Sequence, residues 1–274
     1  MTDVPRTSTR QPGQSPGGTR TDEAAVRVQN LSKEYAGGVL ALEGLSFDLP
    51  RGELTSIIGP SGCGKTTTLK IIAGLIEATS GEVLVDGSPV SGPGPDRAFV
   101  FQDFALLPWA TVLRNAAFGL ELRGVSKKER EALAREYIAK VNLTGFEDKY
   151  PHQLSGGMRQ RVGLARALAV DADILLMDEP FASVDEQIRR KFQEDLLTLL
   201  SVEKKTVVFV THSIEEAVYV SDQVVILTRG PAHVSKVVRP GIDRNGDSQS
   251  IRRSHEYLEW VERIWDELRD YLEK

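Results

Sequence analysis

Cysteine is almost absent from this chain of 274 residues, since Cys63 is the only one. No disulfide can form within the chain, and a single thiol suits a reducing compartment. Long apolar runs are missing as well. The longest candidates, such as Ile174–Met177 and Val224–Leu227, have the length of strands and fall far short of the ~20 residues that cross a bilayer. The sequence therefore predicts no membrane span of its own.

A basic excess is also lacking. The 34 Lys and Arg residues are outnumbered by 39 Asp and Glu, which gives a formal net charge of −5 and a pI near 5.6. A dedicated nucleic-acid-binding domain usually carries a strong basic excess, so we expect no nucleic acid as a partner. Residues 1–24 are rich in Pro, Gly, Ser and Thr and almost free of large apolar side chains. This composition predicts a disordered arm.

The remaining pattern indicates an α/β fold. Short strands near Val26–Leu31 and Leu45–Leu49, with a hairpin arm at Gly81–Gly87, predict an N-terminal antiparallel β subdomain. The continuous apolar strands Ile174–Met177 and Thr206–Val210 are separated by a helical pattern. Such strands are typical of a parallel sheet that is covered on both faces.

Helical periodicity dominates two further regions. Apolar residues recur at helical spacing between Val112 and Leu168, which predicts an α-helical subdomain, about 103–170, inserted into the α/β core. Residues 241–274 are expected to form a linker and a last helix, Ser254–Leu272. The apolar face of that helix is predicted to carry Tyr257, Leu258, Val261, Ile264, Trp265, Leu268, Tyr271 and Leu272. Packing on the rest of the chain is the expected role, and binding of a partner is the alternative.

One segment matches the phosphate-binding pattern G-x-x-x-x-G-K-[ST], directly after the apolar strand Leu54–Ile58. Its residues are Gly59, Pro60, Ser61, Gly62, Cys63, Gly64, Lys65 and Thr66. Glycines let successive N–H groups point at phosphate oxygens, and the following helix presents the positive end of its dipole. Lys65 is expected to reach the outer phosphates and Thr66 to offer a hydroxyl to Mg²⁺. The alternative for the whole segment is a chance Gly-rich turn. Cys63 is expected to be a small tolerated residue of the loop, and a redox switch is the alternative for it.

A second constellation lies further along the chain. Leu154-Ser155-Gly156-Gly157-Met158 places a hydroxyl and two glycines at a helix start, which alone would be only a helix cap. Soon afterwards the strand Ile174–Met177 ends in Asp178 and Glu179. Paired carboxylates at a strand end can place one near Mg²⁺ and leave the other for proton chemistry.

Together these motifs resemble the ATPase subunits of ABC transporters, from about Val26 to Val238. The resemblance implies a P-loop NTPase (RecA-like) core within an ATPase domain, 25–240, that binds ATP and Mg²⁺. It implies that Tyr35 stacks on adenine, that Thr67 completes the phosphate loop, and that Gln102 senses the γ-phosphate and meets Mg²⁺. It assigns Asp178 to the Mg²⁺ side, Glu179 to the general base and His212 to the γ-phosphate. For Tyr35 the alternative is a structural role as a half-buried strand residue. For His212 the alternative is also structural, because a lone histidine is often a structural residue.

In that family the serine-led segment caps the nucleotide of a partner subunit. The resemblance therefore implies a head-to-tail homodimer, in which each ATP lies between Gly59–Thr67 of one copy and Leu154–Met158 of the other. Asp185 would connect the two sites. The implied partners are integral membrane permease subunits and, indirectly, a solute-binding protein, at the cytoplasmic face of the membrane.

Subgroup features point to import. Met158 replaces a common glutamine, and Leu106–Trp109, Asp185–Arg189 and the C-terminal helix resemble nitrate, sulfonate and taurine importers. The loop Phe181–Asp185 differs from the sequence that is common at this place in the family. The alternatives are an exporter subunit, a DNA-repair ATPase, a translation factor and a P-loop kinase. Repair ATPases place long coiled coils between the two glycine-rich motifs, whereas here only 90 positions (155 − 65) separate Lys65 from Ser155.

Overall fold

The computed structural model describes residues 24–182 and 186–272, without the side chains of residues 186–188 and 272. Most of the predicted N-terminal arm lies outside these ranges, and so does Asp185. Ala24, placed in that arm by the sequence, already belongs to the first strand. No helix within the described ranges is both long and apolar enough to span a bilayer.

An antiparallel sheet of four strands forms the N-terminal part, in the order β2-β1-β4-β5. The strands are β1 Ala24–Tyr35, β2 Val39–Pro50, β4 Ser80–Val85 and β5 Ser88–Pro89. Asp86 and Gly87, both with positive φ, connect β4 and β5 as the Asp-Gly pattern predicts. β1 and β2 are both longer than the sequence predicts, since β1 continues through residues 32–35 and β2 begins already at Val39, across an irregular register. Gly37 and Gly38, at positive φ, close this longer hairpin beside Tyr35.

A second sheet has the order β10-β9-β3-β8-β7-β6. Its strands are β3 Leu54–Ile58, β6 Arg97–Val100, β7 Ile174–Asp178, β8 Thr206–Val210, β9 Gln223–Leu227 and β10 Val234–Val238. All pair in parallel except β10, which is antiparallel to β9. β7 shows why the inner strands are continuous apolar runs. Leu175 and Met177 face one core, and Ile174 and Leu176 face the other.

Eight α-helices are described within these ranges. They are α1 Lys65–Ile72, α2 Val112–Leu122, α3 Lys127–Lys140, α4 Gly156–Ala169, α5 Glu186–Glu203, α6 Ile214–Val220, α7 Ser248–Arg253 and α8 His255–Leu272. α2, α3 and α4 pack on one another, where the sequence predicts a helical insertion. Ser126 and Ser155 cap α3 and α4 through their hydroxyls, and the cap at Ser155 lies at the helix start that the sequence indicates.

The C-terminal segment corrects the sequence-based expectation in two respects. The short helix α7, capped by Asp247, lies in the stretch predicted as a linker. The predicted apolar face of α8 is also too wide. Tyr257, Ile264 and Leu268 are buried, whereas Leu258 and Trp265 are 52% and 49% exposed. Each of these two directly follows a buried residue, and neighbours in a helix are turned about 100° apart, outside a single contact surface.

Candidate nucleotide site

The glycine-rich loop connects the buried strand β3 to α1, and its backbone is tightly enclosed. A Cβ on Gly59 would lie 2.8 Å from the Leu227 carbonyl oxygen, and one on Gly64 would lie 2.5 Å from Leu42 Cδ2. Gly64 also has φ +109°, in the region that favours glycine. Gly62 is different, since its φ of +75° is left-handed but nothing lies within 4 Å of an added Cβ. The glycine-rich loop thus requires glycine at positions 59 and 64, because a side chain there would meet neighbouring atoms and the backbone conformation favours glycine.

Lys65 opens α1 and is only 6% exposed. Its Nζ donates to the carbonyl oxygens of Gly59 and Pro60, each at 2.9 Å. The ammonium is therefore held against the loop by the loop's own backbone, with its stem buried. Cys63 is buried in the same loop, and this burial raises the pKa of its thiol. A raised pKa keeps the thiol protonated, which favours its reading as a small packing residue.

Thr66 and Asp178 form the contact between α1 and the end of β7. Thr66 Oγ1 donates to Asp178 Oδ1 at 2.8 Å, and Asp178 is only 4% exposed. Burial raises the pKa of this carboxyl, and the Thr66 hydrogen bond opposes the shift. A hydroxyl and a carboxylate beside a phosphate loop are the oxygen ligands that Mg²⁺ takes in nucleotide sites. The pair fits the predicted metal position.

Glu179 follows in a left-handed backbone conformation, with φ 45°. Such a conformation in a residue other than glycine is uncommon and concentrates at functional sites. Its N–H donates to the Val210 carbonyl oxygen of β8 at 3.0 Å. Its Oε2 lies 3.2 Å from Nδ1 of His212, which follows β8. The turn directs the carboxylate toward the histidine.

Gln102 lies two residues beyond β6 and is exposed. Because β3, β8, β7 and β6 are parallel neighbours, the phosphate loop, His212, the two carboxylates and Gln102 all follow strands at one edge of the sheet. Ligands bind at this carboxyl edge in open α/β sheets. The sheet order therefore gathers residues that are far apart in sequence.

Tyr35 reaches the same region from the antiparallel sheet. Its hydroxyl lies 3.1 Å from Thr67 Oγ1, and the residue is 41% exposed. A ring that is partly open to solvent and tied to the loop can offer a face to a planar base.

The serine-led segment is separate from this cluster. Ser155 is exposed, and its Oγ accepts from Met158 N at 3.3 Å as the cap of α4. Leu154 is buried, whereas Gly156, Gly157 and Met158 are partly exposed. Over residues 24–182 and 186–272, no hydrogen bond or ion pair joins residues 155–158 to the phosphate loop of the same chain. The structure therefore does not bring these two predicted halves together within one copy.

Sequence reasoning missed two side chains of α4 that reach this edge of the sheet. Arg166 donates to the carbonyl oxygens of Phe104 and Ala105 at 2.6 and 2.7 Å. Both acceptors have positive φ, in the turn directly after Gln102. Gln160, 1% exposed, donates to the Pro180 carbonyl oxygen beside Glu179. Their only sequence signal is a polar residue on a helix that is otherwise largely buried.

Comparison with known proteins identifies the group to which this arrangement belongs. Residues 42–182 match the family described as ABC transporter. The chain belongs to the ABC transporter family. It is 50% identical over 252 residues to the uncharacterized ABC transporter ATP-binding protein MJ0412 of Methanocaldococcus jannaschii, covering 91% of this chain and 93% of that protein. It is 45% identical over 246 residues to the taurine import ATP-binding protein TauB of Chromobacterium violaceum, covering 88% and 94%.

A solved structure agrees with this assignment. The dimeric post-hydrolysis state of the ATP-binding cassette MJ0796, bound to ADP and Pi, matches with a TM-score of 0.71 and 34% identity, over 78% of this chain and 98% of that one. The predicted family and the P-loop NTPase fold are confirmed. This ABC transporter chain is an ATP-binding subunit and an ATP hydrolase. The boundaries of the ATPase domain and of its helical subdomain, near residues 24, 103, 170 and 240, remain a prediction.

Proposed function

We propose that this subunit energises solute import through separate membrane subunits, with a solute of the nitrate, sulfonate or taurine type. The observation that carries the proposal is the 45% identity to a taurine import protein across 88% of this chain and 94% of that protein. Trp109, in the Leu106–Trp109 segment that resembles this importer group, is 69% exposed and free to contact another subunit. Met158 at the start of α4 is a second feature of the group.

The proposed chemistry is hydrolysis of ATP at the carboxyl edge of the parallel sheet. Gly59–Thr67 hold the phosphates through backbone N–H groups, and Lys65 exchanges its loop carbonyls for the outer phosphates. Thr66, Asp178 and Gln102 would hold Mg²⁺, with Asp178 acting largely through water. Mg²⁺ bound there would neutralise part of the phosphate charge.

The other proposed roles concern the attacking water and the base. Glu179 orients the water and accepts its proton, while His212 steadies the Glu179 carboxylate and contacts the γ-phosphate. Gln102 lies at the same edge, where it can report the γ-phosphate to the helical region. Tyr35 stacks its ring on adenine.

We further propose that two copies of the chain share each nucleotide. Ser155 caps a helix whose free N–H groups favour an anion, yet it makes no contact with its own phosphate loop. A second copy placed head to tail would supply the missing surface to each site. Asp185 would connect the two sites. The dimeric form of the related cassette supports this arrangement.

Coupling to transport follows from the link between α4 and Gln102. Arg166 ties α4 to the turn after Gln102, so a movement of the serine-led helix against the nucleotide would carry that turn with it. Membrane subunits docked at this surface, on the cytoplasmic side, would convert the movement into alternating access. A solute-binding protein would deliver the solute from the opposite side.

The test is transport by the native complex, purified with its membrane subunits and reconstituted in sealed vesicles. ATP is enclosed inside, and labelled taurine, an alkanesulfonate or nitrate is added outside with the binding protein. If the complex is an importer, complexes whose ATPase subunits face the lumen should accumulate the labelled solute inside the vesicles. This accumulation should depend on the enclosed ATP and should be lost when the complex carries Glu179→Gln. Accumulation only when ATP is supplied outside would instead identify an exporter.

A further inference from the structure

The short helix α6 is held at both ends by the C-terminal segment. Tyr257 of α8 donates to the Glu215 carbonyl oxygen at 3.0 Å, and Arg244 Nε donates to the Tyr219 carbonyl oxygen at 2.9 Å. The Arg252 guanidinium of α7 also stacks on the Tyr219 ring at 3.7 Å. α6 has only seven residues, Ile214–Val220, and these contacts add to the burial of its apolar side chains in the core.

The first turn of α6 in turn holds the two residues that flank His212. Thr211 Oγ1 donates to Glu216 Oε2 at 2.6 Å and accepts from Ser213 N at 3.1 Å. Ser213 Oγ accepts from Glu216 N and donates to Glu215 Oε2, both at 3.1 Å. Glu216 is only 7% exposed, so its carboxylate is a fixed acceptor. The first turn of α6 therefore contacts both neighbours of His212, and β3 also holds Thr211, whose N–H donates to the Ile57 carbonyl oxygen at 3.3 Å.

The imidazole itself has little packing. The His212 side chain is 57% exposed, and within the described residues its one hydrogen-bond or ion-pair partner is Glu179, at 3.2 Å. Its placement must come from the backbone, to which the first turn of α6 contributes through Thr211 and Ser213. Tyr257 of α8 donates a hydrogen bond to that turn, and it is 3% exposed. Burial raises the pKa of the Tyr257 phenol, so the hydroxyl keeps its proton and donates.

We infer that Tyr257 is a positioning residue, through which the C-terminal helix fixes the first turn of α6 and, with it, His212 against Glu179. The inference rests on the proposed role of His212 in hydrolysis. It gives α8 a role in turnover beyond covering apolar surface. The helix reaches the nucleotide edge through two hydrogen bonds, from Tyr257 to the Glu215 backbone and from Ser213 to the Glu215 carboxylate.

The chain offers a matched control. Tyr271 lies on the same helix, and its hydroxyl is 3.3 Å from Ser235 Oγ on β10 rather than on α6. Mg-ATP hydrolysis by the full chain is measured against ATP concentration for Tyr257→Phe and Tyr271→Phe. We expect kcat of Tyr257→Phe to fall roughly threefold to tenfold, as loss of one neutral hydrogen bond predicts, with KM unchanged. Tyr271→Phe should stay within about twofold of the parent.

A double-mutant cycle separates positioning from a general loss of structure. In a His212→Ala background, Tyr257→Phe should cause no further loss in single-turnover hydrolysis, because its target is gone. An equal loss in both backgrounds, or an equal loss in Tyr271→Phe, would overturn the inference. Unchanged kcat in Tyr257→Phe beside an inactive His212→Ala would refute the positioning role alone. Full turnover in His212→Ala would refute the proposed role of the histidine itself and, with it, this inference.

Discussion

Nδ1 of His212 lies 3.2 Å from Oε2 of Glu179, across the ends of the paired strands β8 and β7. The carboxylate comes from a residue in a left-handed backbone conformation, whose N–H is tied to Val210. Two ordinary residue types are thus held in one geometry by the sheet and by a strained turn. This geometry supports the proposed role of Glu179 as the base at the carboxyl edge of the sheet.

Glu179→Gln tests the base directly. The amide keeps the size of the side chain but cannot accept the proton of the attacking water, so we expect turnover to fall by about 100-fold or more. ATP affinity should change little, because the phosphate cradle is intact. Glu256→Gln, which removes a carboxylate on α8, serves as the matched control. Steady-state hydrolysis and nucleotide titration measure both effects, and rapid hydrolysis by Glu179→Gln would remove the residue from its assigned role.

Gly64→Ala and Gly62→Ala separate crowding from backbone strain in the phosphate loop. Both glycines have positive φ, but a Cβ at Gly64 lies 2.5 Å from Leu42 Cδ2, whereas one at Gly62 meets nothing within 4 Å. We expect Gly62→Ala to cost about 1 kcal/mol of unfolding free energy and Gly64→Ala clearly more. ATP affinity should fall in the same order. Chemical denaturation and nucleotide titration give the comparison, and equal losses would argue against the crowding.

Arg166→Ala should release the turn that follows Gln102. Two hydrogen bonds to backbone carbonyls are lost, for which we expect about 1–3 kcal/mol of unfolding free energy. Arg135→Ala on the exposed face of α3 is the control and should be nearly neutral.

The more specific readout for Arg166 is the stimulation of hydrolysis by the membrane subunits. Arg166→Lys, which can keep one of the two bonds, should retain more of this stimulation than Arg166→Ala. Full stimulation in Arg166→Ala would show that the link between α4 and Gln102 does not transmit the movement.

Much of the fold and the site could be predicted from the sequence. β7 and β8 are buried on both faces, so they appear as uninterrupted apolar runs, and the residues that follow such strands meet at one sheet edge. The phosphate loop is local in sequence, and its glycine pattern is therefore visible without the structure. The helix caps Ser126 and Ser155 are local in the same way.

The features that escaped prediction depend on contacts between distant parts of the chain. Arg166 meets carbonyls 61 and 62 positions away, and no local pattern marks a side chain that binds backbone. α7 is a six-residue helix held by neighbouring elements, too short for periodicity to reveal. Leu258 and Trp265 are apolar yet exposed. The sequence periodicity locates an apolar stripe on α8, but it does not give the width of the surface that covers this stripe.

The most direct test of a nucleotide shared by two copies is complementation between two inactive variants. Ser155→Arg blocks the serine-led surface and Lys65→Ala disables the phosphate loop, so each variant alone should hydrolyse almost no ATP. In an equal mixture, half of the dimers pair the intact loop of one copy with the intact serine of the other, and activity should recover to about a quarter of the parent value. A mixture as inactive as its components would contradict the shared site.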